Sequence, residues 1–296
     1  MININTKKIL VPVDFSKTAG RAIKHAAFIA RLTKGELLLL FVQKKNDLID
    51  IILPAVKLKD TSVITRFLEE KLRVLAEEIR KEYGIKVTPI ISLGNITSEI
   101  VSIAEENKVG LIVMGTQGGD SINDAFMGSN AYRTLTKSSI PVMTVRSEAP
   151  KLGYSNILLP IDSSEHSRQK VNSAIQLADK FASHLYLLGV LGKKEDNYEY
   201  KLKVILPQIE KMAKTKNLAC TAEIVKAENR AQRTLAYAKK VNADLIIIMA
   251  DQNAEFSSIV LGSYAHQLIN NSRIPVLSIP PEVHGENIPV TLGGLW

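Results

Sequence analysis

The residues best equipped for chemistry lie between positions 114 and 130. Met114-Gly115-Thr116-Gln117-Gly118 opens a loop and Gly128-Ser129-Asn130 closes it. Glycine permits positive φ and close backbone approach, so such a loop can wrap its amides around phosphate oxygens without side-chain obstruction. Gly128 and Ser129 then offer free amides and a hydroxyl at the start of a helix, where the helix dipole also favours an anion. An isolated Gly-x-x-Gly reads better as a turn. Here a strand-like run precedes it and a helical stretch follows Gly128, and that context favours a phosphate cradle.

Other reactive groups do not gather into a second chemistry. His25, His166, His184, His266 and His284 are scattered singly, so neither a His-x-Gly-His nucleotidyl-transfer motif nor a metal cluster emerges. His25, on the apolar side of a helical stretch, reads as a packed or surface histidine, and Cys220, in a strand-like run, as a small buried core residue. No Gly-x-x-x-x-Gly-Lys-Ser/Thr loop is present, and no Gly-x-Gly-x-x-Gly follows the first strand, so neither a Walker-type NTPase nor a dinucleotide dehydrogenase is supported. Gly118-Gly119-Asp120-Ser121 looks like the pyrophosphatase loop of some ATP-using synthetases, but that loop follows a first strand and this one a fourth. Efficient ATP hydrolysis commonly uses a metal with its carboxylate and a cation at the transferring phosphoryl group. Asp120, Asp124 and Arg133 lie near the loop, but their spacing assigns no such roles, which leaves a slow ATPase as the alternative.

The elements that must position the loop follow from periodicity. Strands are expected near 8–13, 36–43, 86–92, 110–115 and 141–146, with helices near 17–33, 61–84, 96–107 and 129–138 between them. Ser16 is available to cap the first helix, which sets Ala22, Ile23, Ala26, Ala27, Ile29 and Ala30 on one broad side. Asp14 is a competing candidate cap. Alternating strands and helices predict an α/β fold with an open, doubly wound parallel sheet covered on both faces. Such sheets bind ligands at the carboxyl ends of their strands.

The pattern then repeats. Lys8-Ile-Leu-Val-Pro-Val-Asp14 returns as Asn156-Ile-Leu-Leu-Pro-Ile-Asp162, Met127-Gly-Ser129 as Leu261-Gly-Ser263, and Ile140-Pro-Val-Met-Thr-Val145 as Ile274-Pro-Val-Leu-Ser-Ile279. Preserved order indicates domain duplication. The second set of strands is expected near 155–161, 184–191, 219–225, 244–250 and 275–279. The domains are expected at 1–150 and 151–281, followed by a tail, 282–296, that packs on the second domain or a partner, or frays. In the second copy, matching by residue type sets Ala250 and Asn253 in the places of Gly115 and Gly118, with a loop one residue shorter. A side chain there obstructs approach to phosphate, and Asp251 and Glu255 repel an anion. Asp162 and Val190 persist, which keeps the adenosine side of such a pocket.

Composition sets outer bounds. The 296 residues are 46% hydrophobic, enough for two ordinary cores, and carry one cysteine, which fits a reducing cytoplasm. The apolar runs are strand-sized rather than membrane-spanning. The net charge of +8 is spread along helical stretches among acids, without the clustered basic motif that nucleic-acid binding calls for.

Gly-x-x-Gly, nine residues, then Gly-Ser resembles the ATP-binding signature of universal stress proteins at every specified position. The Pro-Val-Asp opening and the Ile-Pro-Val closing strand extend the resemblance from Lys8 to Ile279. It implies tandem Rossmann-like domains of the adenine nucleotide alpha hydrolase type, each with strand order 3-2-1-4-5. By the same resemblance Pro12, Val13 and Asp14 meet adenine and ribose, Val42 lines the adenine pocket, and Met114 and Gly115 begin the phosphate-side loop. Gly118, Gly128, Ser129 and Asn130 hold the phosphates of ATP, with or without Mg. The implied role is regulation in the stress response through unidentified protein partners, with a nucleotide-independent scaffold as a further alternative. Domains of the family commonly pair through their last strands, which implies a covalent pseudo-dimer here and allows a further homodimer of two-domain chains. The long 44–61 loop is a candidate lid.

Overall fold

Each apolar run becomes a strand and each helical stretch a helix in a computed structural model, which describes residues 7–44, 61–116, 127–146, 148–149, 152–162, 166–193, 196–250 and 261–281. The first repeat comprises β1 (Lys8–Pro12), α1 (Lys17–Thr33), β2 (Glu36–Gln43), α2 (Thr61–Tyr83), β3 (Lys86–Leu93), α3 (Ile96–Glu106), β4 (Leu111–Gly115), α4 (Ser129–Lys137) and β5 (Val142–Val145). The second comprises β6 (Asn156–Ile161), α5 (His166–Phe181), β7 (His184–Gly192), α6 (Asp196–Lys214), β8 (Cys220–Ala227), α7 (Arg230–Lys240), β9 (Leu245–Met249), α8 (Ser263–Asn271) and β10 (Val276–Ile279). The body of the candidate lid and the 282–296 tail lie outside the described residues.

The ten strands among the described residues form one sheet in the order β3-β2-β1-β4-β5-β10-β9-β6-β7-β8. Each repeat therefore has the 3-2-1-4-5 order, parallel within itself. The two join where β5 runs antiparallel to β10, pairing Thr144 with Val276, Met143 with Leu277 and Val142 with Ser278. Thr144 Oγ1 adds a buried hydrogen bond to the Val276 carbonyl, 3.2 Å. Because the seam is antiparallel, the carboxyl ends of the two parallel sets face opposite edges of the sheet.

Both cores cross this seam. On one face α1, α2, α5 and α6 cover the sheet, and their apolar residues merge with Val145, Met143 and Leu277. On the other, α3, α4, α7 and α8 do the same around Val142 and Val276. Ala22, Ala26, Ala27 and Ala30 of α1 have no exposed surface, which lets that helix lie close on the strands. Ser16 caps it by accepting from the Ala19 amide at 3.1 Å. At its other end Lys34 adopts φ 51 and Gly35 passes so near β1 that a Cβ there would collide with the Lys7 carbonyl oxygen. No described helix is long and apolar enough to cross a membrane.

The segment joining the repeats is anchored by Tyr154. Its buried ring packs against Phe28 and Phe181, with centroids at 5.9 and 5.1 Å, and its hydroxyl shares a 2.8 Å hydrogen bond with His25 Nδ1. Of the two expected readings, packed or surface, His25 takes the packed one, 1% exposed. Burial, and secondarily the charge of Arg21, lowers its pKa from 6.5 to about 4. The unfolded chain therefore binds a proton that the folded chain refuses, and stability falls as pH drops through 6.5 until about 4. The full shift corresponds to about 3 kcal/mol. Urea unfolding at pH 7 and pH 4.5 measures this: the acid-induced loss should shrink by most of that amount in His25→Gln. Cys220, expected to be buried, is half-buried at the head of β8, and burial still pushes its thiol up to about 12.

Candidate functional site

The register of the first sheet assembles one end of it. Pro12 pairs with Leu40 on β2, and Leu10 with Ile112 on β4. Extending these parallel registers brings Asp14 level with Val42 on one side and Thr116 on the other. The Val13 amide donates to the Leu40 carbonyl at 2.7 Å, which carries the ladder one residue past β1. Val13 and Met114 are each 5% exposed, while Pro12, Val42 and Gly115 are partly exposed. Val42 and Met114 pack on the α3–α4 face and Val13 on the opposite one, so the carboxyl edge brings apolar side chains from both faces beside the exposed Asp14.

Asp14 sits in a tight turn. Its Oδ1 accepts from the Ser16 amide at 2.9 Å, and Phe15 between them takes φ 58. A bulky residue in the left-handed region is uncommon and costs on the order of 1–2 kcal/mol. The Phe15 ring lies 5.5 Å from that of Phe41, with Lys71 Nζ 4.2 Å over its face, and these contacts offset the strain. Ser16 is thus the helix cap, and Asp14 braces the turn that presents its carboxylate.

The phosphate side is built from β4 and α4. Thr116 continues past β4, its amide donating to the Val145 carbonyl at 3.0 Å, and its own carbonyl accepts from the Gly128 amide at 2.6 Å. That last bond closes the neck of the loop and sets the head of α4 beside the ends of β1 and β4. Gly128 is the N-cap, with φ −62 and ψ 150, and among the described residues no side chain caps the helix. The Gly128 amide, expected to be free, is instead taken up by Thr116; Ser129 is exposed and Asn130 partly so, which leaves their amides for an anion at the positive end of the helix. The Thr116 hydroxyl is buried with no hydrogen-bond partner among the described residues. Pro12, Val13, Asp14, Val42, Met114, Gly115, Gly128, Ser129 and Asn130 are thereby gathered at one edge; Gly118 lies outside the described residues. Thr116 and Phe15 are contributors that motif matching passed over.

The second repeat requires one correction. A constant 134 residues separates Leu111 from Leu245, Ser129 from Ser263 and Val142 from Val276. Gly115 pairs with Val145 and Met249 with Ile279, and the Thr116 bond to Val145 is matched by the Ala250 amide donating to Ile279 at 2.8 Å. Met249, not Ala250, therefore stands where Gly115 does, and the two loops are equal in length. The alignment by residue type, which sets Ala250 and Asn253 at the places of Gly115 and Gly118, is one residue out of register. Gly262 still caps α8 without a side-chain bond, and Val190 is buried.

The sequence profile of the universal stress protein family matches the chain twice, over residues 5–146 and 153–280. Universal stress protein MJ0577 of Methanocaldococcus jannaschii is 34% identical over 158 residues, 49% of this chain and 98% of that protein. Universal stress protein MJ0531 of the same organism is 32% identical over 143 residues, covering 47% and 82%. The crystal structure of a universal stress protein from Archaeoglobus fulgidus superposes with a TM-score of 0.76 at 20% identity, covering 93% of this chain and 98% of that one, a likeness of fold. Two successive profile matches on two copies of one 3-2-1-4-5 sheet lead to a single conclusion: the chain belongs to the universal stress protein family.

Proposed function

We propose that this chain is an ATP-binding regulatory protein of the stress response, with the nucleotide held by the first repeat. The observation that carries this reading is the head of α4, fixed by the Gly128–Thr116 hydrogen bond on the α3–α4 face that also holds Val42 and Met114. In this reading adenine packs against Val42, the Asp14 carboxylate accepts from ribose hydroxyls, and the Ser129 and Asn130 amides bind the phosphates. Mg²⁺ would enter with the nucleotide and screen the phosphate charge.

In the second repeat Met249 replaces Gly115, and the same count sets Gln252 against Gly118. By residue type, a side chain at these two positions obstructs the backbone's approach to phosphate, which assigns ATP to the first repeat in this reading. Regulation follows if a partner protein binds the ATP-loaded and empty states with different affinity. Mass analysis of nucleotide released by denaturing freshly purified protein tests the binding: ATP near one equivalent per chain is expected, and a protein that arrives empty and takes up none overturns the reading.

A further inference from the structure

We propose that Asn270, in the second repeat, is a positioning residue for the first repeat's nucleotide site. This rests on the ATP-binding reading above. The β5–β10 register, with Met143 opposite Leu277, places a pseudo-twofold axis between those two residues, since they too are 134 positions apart. Near that axis α4 meets α8. Tyr132 and His266, equivalent under the same offset, pack edge to face with ring centroids 6.1 Å apart.

One turn further along α8, Asn270 reaches across the junction. Its Oδ1 accepts from the Met127 amide at 2.8 Å. Because a backbone amide only donates, this bond also fixes which side-chain atom is the oxygen. The Asn270 Nδ2 lies 3.2 Å from His266 Nδ1, and the Asn270 carbonyl accepts from Arg146 Nη1 at the end of β5. Met127 immediately precedes Gly128, whose amide is tied to Thr116. The entrance to the phosphate helix is therefore held from both sides, by its own β4 and by the other repeat.

The clamp acts in one direction. The first-repeat equivalent of Asn270 is Thr136, whose hydroxyl donates to the Tyr132 carbonyl at 3.1 Å, a bond within its own helix. A repeat that has Met249 and Gln252 in place of two glycines thus supplies a bond to the entrance of the site that kept them. Preorganising amides before an anion arrives raises affinity, because less order has to be imposed on binding.

Amide hydrogen exchange and ATP titration of the full chain test this. In nucleotide-free protein Asn270→Ala should speed exchange at Met127 about tenfold, and Asn270→Asp, which keeps an acceptor oxygen at the same reach, should restore slow exchange. Asn270→Ala should weaken ATP binding about tenfold, while Thr136→Ala leaves both readouts within about twofold. In the wild type, where folding is not in question, ATP should slow exchange in the last turn of α8 as well as at the head of α4. The proposal is overturned if Met127 exchange is unchanged in Asn270→Ala, if exchange rises while ATP affinity does not move, or if ATP protection stops at the first repeat. A wild type that binds no ATP defeats the functional reading itself, which sets that failure apart from the others.

Discussion

Ser129→Pro is expected to weaken ATP binding about 100-fold while leaving the melting temperature within a few degrees of wild type. Ser129 is the first residue of α4, where proline is favoured because the amide it removes has no partner inside the helix. The preceding residue, Gly128, already holds φ −62 and ψ 150, the extended conformation that a following proline demands. The substitution therefore spares the helix and deletes two donors, an amide and a hydroxyl. Hydrogen bonds to a charged group contribute about 1.5–3 kcal/mol each, and about 1.4 kcal/mol is a factor of ten in affinity. Calorimetric titration beside a thermal melt measures both quantities. Affinity within threefold of wild type would remove α4 from the site.

Leu277→Asp is expected to destabilise both repeats together by at least about 4 kcal/mol. Leu277 is 3% exposed, pairs with Met143 across the seam and belongs to the core that draws residues from both repeats. A carboxylate there has neither water nor a cationic partner built for it, and an uncompensated buried charge is among the few changes with effects of this size. Since both cores are continuous across β5 and β10, wild-type unfolding in urea should be one transition seen alike by circular dichroism and by hydrogen exchange in either repeat. Leu277→Asp should move that whole transition. A variant in which the second repeat melts early and the first keeps its midpoint would show that the seam is an ordinary domain contact.

Much of this architecture was legible in the sequence, for local reasons. Strand and helix limits agree to within about two residues, because apolar runs and helical periods are properties of short windows. The Ser16 cap, the alanine-lined face of α1 and the pairing of the last strands follow from residue type and from the duplicated Ile-Pro-Val segment with its family resemblance. What escaped notice depends on contacts between distant parts of the chain. Nothing in the period of α1 names Tyr154 as the partner of His25, 129 positions away, and nothing in α8 announces that Asn270 bonds Met127, 143 positions away. The one-residue slip at Met249 has a similar origin: side-chain likeness suggested one alignment, and the backbone bonds of Thr116 and Ala250 fixed another. Phe15 escaped because its positive φ is held by rings and a lysine from other elements, while its own type argues against that conformation.

The central claim is that one site, in the first repeat, takes ATP. Calorimetric titration of nucleotide-stripped full-length protein, with Gly118→Trp alongside, tests it most directly. One ATP per chain, abolished by filling the loop at Gly118, is the predicted result. Two equivalents per chain, no binding at all, or binding that Gly118→Trp leaves untouched would contradict it.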